Sequence, residues 1–200
     1  MLNEPQSVFT GDADREIAAR VNALLQTQER AILAIDGNCC AGKTTMAARL
    51  GELLGANVFH MDDYFLQPQM RTPERLSQPG ENVDAERFLH ESLLPASRGE
   101  AAKVRRYDCH EDRLLAPVSV SPRRVIIVEG AYSLHPLLEP LYDIKVFCRI
   151  DPALQDARIL ARNGADALEV FQTRWIPLEN KYIEALDVLS QCDIVIDAVP

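Results

Sequence analysis

The segment Gly37-Asn38-Cys39-Cys40-Ala41-Gly42-Lys43-Thr44, followed by Thr45, carries the residue types and spacing best equipped for chemistry. It satisfies G-x-x-x-x-G-K-[ST], in which glycines let the backbone curl until successive N–H groups converge on phosphate oxygens. Lys43 offers a point charge to the terminal phosphates of a nucleotide, and the Thr44 hydroxyl is a hard oxygen suited to magnesium. The preceding run, Ala31-Ile-Leu-Ala-Ile-Asp36, is continuously apolar, as a strand buried on both faces requires. A helical pattern follows over residues 43–54 and stops at Gly55, so its positive end adds to the same anion site. This strand–loop–helix setting predicts nucleotide binding by residues 37–45.

Carboxylates stand at the ends of two further expected strands. Glu129 closes Val125-Ile-Ile-Val-Glu129-Gly130, the pattern of an acid reaching magnesium directly or through water; an acid capping a loop is the alternative. Asp62 and Asp63 follow another strand in His60-Met-Asp-Asp-Tyr-Phe65. A carboxylate near a terminal phosphate can orient an acceptor hydroxyl and take its proton. Adjacent acids project differently, so one of the two is expected at the nucleotide, with a turn or cap role as the alternative for the pair. His60 reads as a supporting residue rather than a base. Cys39 and Cys40 read as small fillers, although a helix N-terminus can activate a thiol.

Positioning these groups calls for a parallel sheet. Strands are expected at 31–36, 57–60, 124–129, 144–150 and 192–197, alternating with helices. Ile17, Val21, Leu24 and Leu25 mark an amphipathic helix over 14–28, within an N-terminal extension spanning 1–30. Residues 61–82 form a long loop, and a helix over 84–94 is expected to stop at Pro95. Pro152 opens a helix to Arg162 that Asn163-Gly164 ends; a longer helical stretch, kinked near Pro177, follows. There Phe171, Trp175 and Leu178 share a face and read as core packing, with Arg174 on the neighbouring face. The fold class is α/β, a mostly parallel five-stranded sheet with helices on both faces, binding ligands at the carboxyl ends of its strands.

Composition narrows the function classes. The 200 residues fit one domain, and 47% hydrophobic with 26% charged residues is ordinary globular usage. A formal net charge of −9 argues against nucleic acid as a partner. Arg98, Lys103, Arg105 and Arg106 are the basic exception, and they read as a solvated edge. No apolar run approaches membrane-spanning length, and five cysteines without ligand spacing fit a reducing, cytoplasmic setting. Self-association is left open.

With these residues in view, the chain resembles the uridine kinase-like group of P-loop kinases, which includes phosphoribulokinase and nicotinamide riboside kinase. The resemblance runs from about Ile32 to Ile196 and is carried by the phosphate loop, HMDDYF, VIIVEGAY, YDIKVFCRID, DARILARN and CDIVID. It implies a three-layer P-loop NTPase fold with a short helical lid near residues 152–180, ATP and magnesium as cofactors, and a small-molecule hydroxyl acceptor. It places catalysis on Asp62 and Lys43, with Arg158 and Arg162 as lid arginines and Thr44 and Glu129 at the metal. Asp84, Tyr107 and His110 resemble acceptor-binding positions. The implied activity is phosphoryl transfer from ATP to a nucleoside such as uridine. Another riboside, such as nicotinamide riboside, is the alternative acceptor, and a regulatory nucleotide-binding module is the alternative class. A switch GTPase fits poorly, because Asn180-Lys181 continues as Tyr182-Ile183 rather than as a guanine-reading motif.

Overall fold

The computed structural model describes residues 6–8 and 10–199. Its strands are β1 (Gln6–Val8), β2 (Ala31–Gly37), β3 (Asn57–His60), β4 (Ala102–Val104), β5 (Tyr107–Asp108), β6 (Arg113–Leu114), β7 (Val118–Val120), β8 (Val125–Glu129), β9 (Ile144–Arg149) and β10 (Ile194–Asp197). Its α-helices are α1 (Thr10–Leu24), α2 (Lys43–Leu54), α3 (Pro73–Leu76), α4 (Ala85–Phe88), α5 (Leu94–Ser97), α6 (Pro152–Asn163), α7 (Ala165–Val170) and α8 (Ile176–Ala185).

The main sheet has the order β1-β10-β9-β2-β8-β3, and every neighbouring pair in it is parallel. The five strands expected from the sequence form its body. The three-residue β1 adds a sixth strand beside β10, so the N-terminal segment contributes sheet edge as well as helix. Two small antiparallel ribbons, β4–β7 and β5–β6, stand apart from this sheet.

β2 lies between β8 and β9, and all seven of its residues are buried, so the phosphate loop leaves from the middle of the sheet. Alternation along β2 divides the core into two layers. Leu33 and Ile35 pack with Ile17 and Val21 of α1 and Leu50 of α2. Ile32 and Ala34 face the opposite layer, with Tyr64, Phe88, Phe147 and Tyr182. Helix α1 runs Thr10–Leu24, about a turn earlier than its apolar spacing suggested, with Ile17 and Val21 fully buried.

Pro95 does not stop its helix. The helical run passes from α4 through a π-helical turn, Leu89–Leu93, into α5 and ends at Ser97. A π turn widens the hydrogen-bond ladder, which accommodates the N–H that proline lacks and the bulk of its ring. Pro177 repeats the device, because the π turn Phe171–Trp175 immediately precedes α8. The loop after β3 holds 3-10 turns at Met61–Tyr64 and Pro68–Met70 and the short α3.

The start of the phosphate loop tolerates no side chain. Gly37 has φ +132°, and a Cβ there would meet the Cys148 carbonyl oxygen of the adjacent strand at 2.1 Å. Gly37→Ala is expected to cost at least about 4 kcal/mol, since neither strand can give way. A urea unfolding curve checks this; a wild-type midpoint contradicts it.

Candidate active site

The site begins where β2 ends. Asp36 is 1% exposed, and its carboxylate accepts hydrogen bonds from the Gly37 N–H (2.6 Å), the Leu134 N–H (2.8 Å) and the Tyr182 hydroxyl (2.7 Å). Burial pushes its pKa up, while these donors and Lys43 pull it back. Sequence reasoning treated Asp36 only as a strand end; an acid closing an apolar run was the signal, the same one that marked Glu129.

The loop beyond is held from several sides. Lys43 Nζ donates to the Gly37 and Asn38 carbonyls at 2.7 Å each. The Cys39 N–H donates to Glu179 Oε2 at 2.9 Å, while Gln155 Nε2 donates to the Cys39 carbonyl at 3.0 Å. Arg158 Nη1 donates to the Cys40 carbonyl at 3.0 Å. Cys40 and Gly42 take positive φ, which closes the curl, and Ala41 is buried beneath it. The opening amides of α2, at Lys43, Thr44 and Thr45, have no intrahelical acceptor and provide the anion-binding end. Burial, then the Glu179 carboxylate, push the Cys39 thiol up to about 12, so it stays a neutral filler.

Glu129 closes β8 and is 4% exposed. The Thr44 hydroxyl donates to its Oε2 at 3.1 Å, and His60 Nδ1 lies 2.5 Å from its Oε1. A hydroxyl and a carboxylate side by side at a phosphate loop are hard oxygen donors. Magnesium takes few protein ligands and keeps several waters, so this donor set fits it.

Lys43, Thr44, Thr45, Asp62, Glu129, Arg158 and Arg162 line one cleft of about 550 Å³, together with Cys39, Cys40 and Gly42. The two adjacent acids separate as their geometry demands: Asp62 lines the cleft, whereas Asp63 pairs with Arg106 Nε at 2.7 Å. Burial pushes the Asp62 carboxyl up; Lys43 opposes this, and Glu129 reinforces it. Its carboxylate also opens onto the cleft, where solvent moderates the rise.

Three expected acceptor positions do not line this cleft. Asp84 is buried, caps α4 through the Arg87 N–H and pairs with Arg87 Nε at 3.0 Å. Tyr107 takes a hydrogen bond from Arg71 at 2.7 Å and donates to Asp112. His110 is exposed, with its N–H held by Asp108. Trp175 departs from its expected core role: it lines the cleft beside Phe171, 6.4 Å from the Phe65 ring centroid, with the Arg174 guanidinium over its ring at 4.4 Å. The π turn at Phe171–Trp175 rotates the apolar stripe that helical spacing implied. Phe65, Asn82, Gly130, Ala131, Tyr132 and Glu179 complete the lining. Arg105 and Arg106 pair with Glu91 and Asp63, as a surface edge does.

No family model matches the chain. Among solved structures it superposes on a protein from Bacillus stearothermophilus described as a possible uridine kinase. The TM-score is 0.62 at 24% identity, covering 91% of this chain and 100% of that one. A Saccharomyces cerevisiae protein described as a candidate P-loop-containing kinase with a circular permutation also gives 0.62, at 13% identity and 92% and 98% coverage. The chain has the P-loop kinase fold. Within that fold its phosphate loop, Asp62 and Glu129 stand at the carboxyl ends of parallel strands, where α/β sheets bind ligands. No helix among the described residues is long and apolar enough to cross a membrane.

The His60–Glu129 contact carries a pH signature. Hydrogen bonding to Glu129 raises the imidazole pKa above its ordinary 6.5, against the effect of burial. The stabilisation from protonated His60 is therefore full below pH 6.5 and is lost as pH rises through the higher folded value. NMR titration in magnesium-free buffer should place His60 above 6.5 and return it toward that value in Glu129→Gln. An unshifted wild-type midpoint would show that the contact is absent in solution.

Proposed function

We propose that the protein is an ATP-dependent phosphotransferase that moves the γ-phosphoryl group of Mg-ATP to a hydroxyl of a small metabolite, with a nucleoside as the leading acceptor. The observation that carries this reading is Asp62, which lines the same cleft as Lys43 and the phosphate loop while its neighbour Asp63 pairs with Arg106. A regulatory module that only senses nucleotide has no use for a carboxylate there.

Each residue has a part in the reaction. The amides opening α2 and the Lys43 ammonium hold the phosphate chain; on ligand entry Lys43 exchanges the Gly37 and Asn38 carbonyls for phosphate oxygens. Thr44 and Glu129 would hold magnesium, whose charge offsets that of the terminal phosphates. Asp62 accepts a hydrogen bond from the acceptor hydroxyl and aligns its oxygen with the γ-phosphorus. As that oxygen–phosphorus bond forms, the bond to the β-bridging oxygen breaks, the hydroxyl proton passes to Asp62, and ADP leaves. Among the described residues Arg162 bonds only to neighbouring Asn163, through Nε, so it is free to fork onto transferring oxygens, whereas Arg158 stays tied to the loop through Cys40. Gly164, at φ +86°, joins α6 to α7 and supplies the hinge of the lid.

The positions of Asp84, Tyr107 and His110 off the cleft favour a wider acceptor range than uridine, with nicotinamide riboside or another riboside as the second reading.

ADP release from Mg-ATP across nucleosides, other ribosides, pantothenate and sugar phosphates tests the proposal. With the active acceptor, Asp62→Asn should lower turnover by about a hundredfold or more while Mg-ATP still binds. Lys43→Ala should weaken nucleotide binding as well. Equal turnover in Asp62→Asn would remove Asp62 from the mechanism.

A further inference from the structure

A phosphate loop holds an anion only while its N–H groups face the ligand and its carbonyls face away, so whatever fixes its peptide planes governs binding. The strained point is Cys40, whose φ of +60° puts a residue with a side chain in the left-handed region. Such a conformation persists only where the surroundings impose it. Here the constraint comes from the helices before and after the hinge at Gly164. Helix α6 supplies Gln155 and Arg158, and α8 supplies Glu179.

Cys39 is gripped on both of its backbone polar groups. Its carbonyl accepts from Gln155 Nε2 at 3.0 Å, with the same nitrogen 3.1 Å from Sγ, and its N–H donates to Glu179 Oε2 at 2.9 Å. The thiol adds a second hydrogen bond to the Glu179 carboxylate. Both Gln155 and Glu179 are buried, and Gln155 does not line the cleft. The carbonyl and N–H of a trans peptide point in opposite directions. Gln155 holds the Cys39 carbonyl from behind the loop and so turns the Cys40 N–H toward the cleft that Cys40 lines. The preceding peptide plane has two holders, Lys43 on the Asn38 carbonyl and Glu179 on the Cys39 N–H. When Lys43 moves to phosphate oxygens, Glu179 is the one that remains.

We infer that Gln155 and Glu179 are positioning residues for nucleotide binding, a clamp on Cys39 that keeps the Cys40 N–H directed at the phosphate chain. They act through the loop, with no contact to the nucleotide required of either. The inference rests on the phosphate-binding part of the proposed function and not on transfer to an acceptor.

Calorimetry of the full chain with Mg-ADP, and with magnesium and a non-hydrolysable ATP analogue, tests the clamp, because it reads affinity and the competent fraction separately. Gln155→Met keeps the length of the side chain and removes its donor. It should weaken both nucleotides about tenfold or more at unchanged stoichiometry. Glu179→Met should do the same, and Glu179→Gln, which keeps an oxygen for the Cys39 N–H, should recover most of that loss. A merely structural role would instead lower the stoichiometry and the thermal midpoint, while the protein still folded binds as the wild type does. Wild-type affinity in Gln155→Met, or equal affinity in the two Glu179 variants, overturns the assignment. If Gln155→Met does not fold, the Glu179 pair decides. A wild-type protein that binds neither nucleotide overturns the clamp and the phosphate-loop reading together. Parallel ADP-release assays keep the clamp and the phosphotransferase reading apart. The predicted losses without phosphorylation of any acceptor sink the phosphotransferase reading alone, whereas transfer by the wild type with undiminished nucleotide affinity in the variants sinks the clamp alone.

Discussion

The Asp36 carboxylate, sealed at the end of the central strand, is the contact on which the rest of the architecture depends. An isolated ion there would cost several kcal/mol, and only donors at close range offset such a cost. Asp36 has three, and they come from three places: the first amide of the phosphate loop, the connection after β8, and the Tyr182 hydroxyl on α8. One side chain therefore fixes how the loop departs, where the segment beyond Glu129 turns, and where α8 docks. Helix α8 in turn carries Glu179, which holds the Cys39 amide. The loop is thus set from beneath by Asp36 and from above by the helix that Asp36 anchors.

The cleft built on this arrangement sorts charge by position. Lys43, Arg158 and Arg162 line it with three acids, of which Glu179 and Glu129 accept hydrogen bonds from the Cys39 N–H and the Thr44 hydroxyl, while Asp62 faces the open cleft. Glu129 is fixed by Thr44 and His60 rather than left as a free anion. Asp62 keeps an open carboxylate on the cleft, where the proposed mechanism has a hydroxyl lose its proton. A net charge of −9 on the whole chain is no obstacle to binding an anion, because the field that matters is made locally by amides and three nearby cations.

Much of this was legible in the sequence, for identifiable reasons. β2 and β8 are buried on both faces and so read as apolar runs closed by an acid, β9 is apolar between Lys145 and Arg149, and the phosphate-loop spacing is dictated by a backbone curl that few residue types permit. β1 escaped because Gln-Ser-Val carries no period, and its pairing with β10 is a contact across nearly the whole chain. Trp175 was misplaced because i, i+4 spacing identifies a face without saying what it faces, and a π turn shifts that face. Asp84 matched a local pattern whose true partner, Arg87, sits three residues on. Glu179 gave no local signal, since its role is defined by a residue 140 positions away.

The destination of the γ-phosphoryl group tests the central claim most directly. The protein is incubated with Mg-ATP and a riboside in 18O-enriched water, and the products are resolved by mass spectrometry. The account predicts a phosphate ester of the riboside free of solvent 18O, formed together with ADP. If the only phosphorus product besides ADP is inorganic phosphate carrying solvent 18O, water is the acceptor and the phosphotransferase account is wrong.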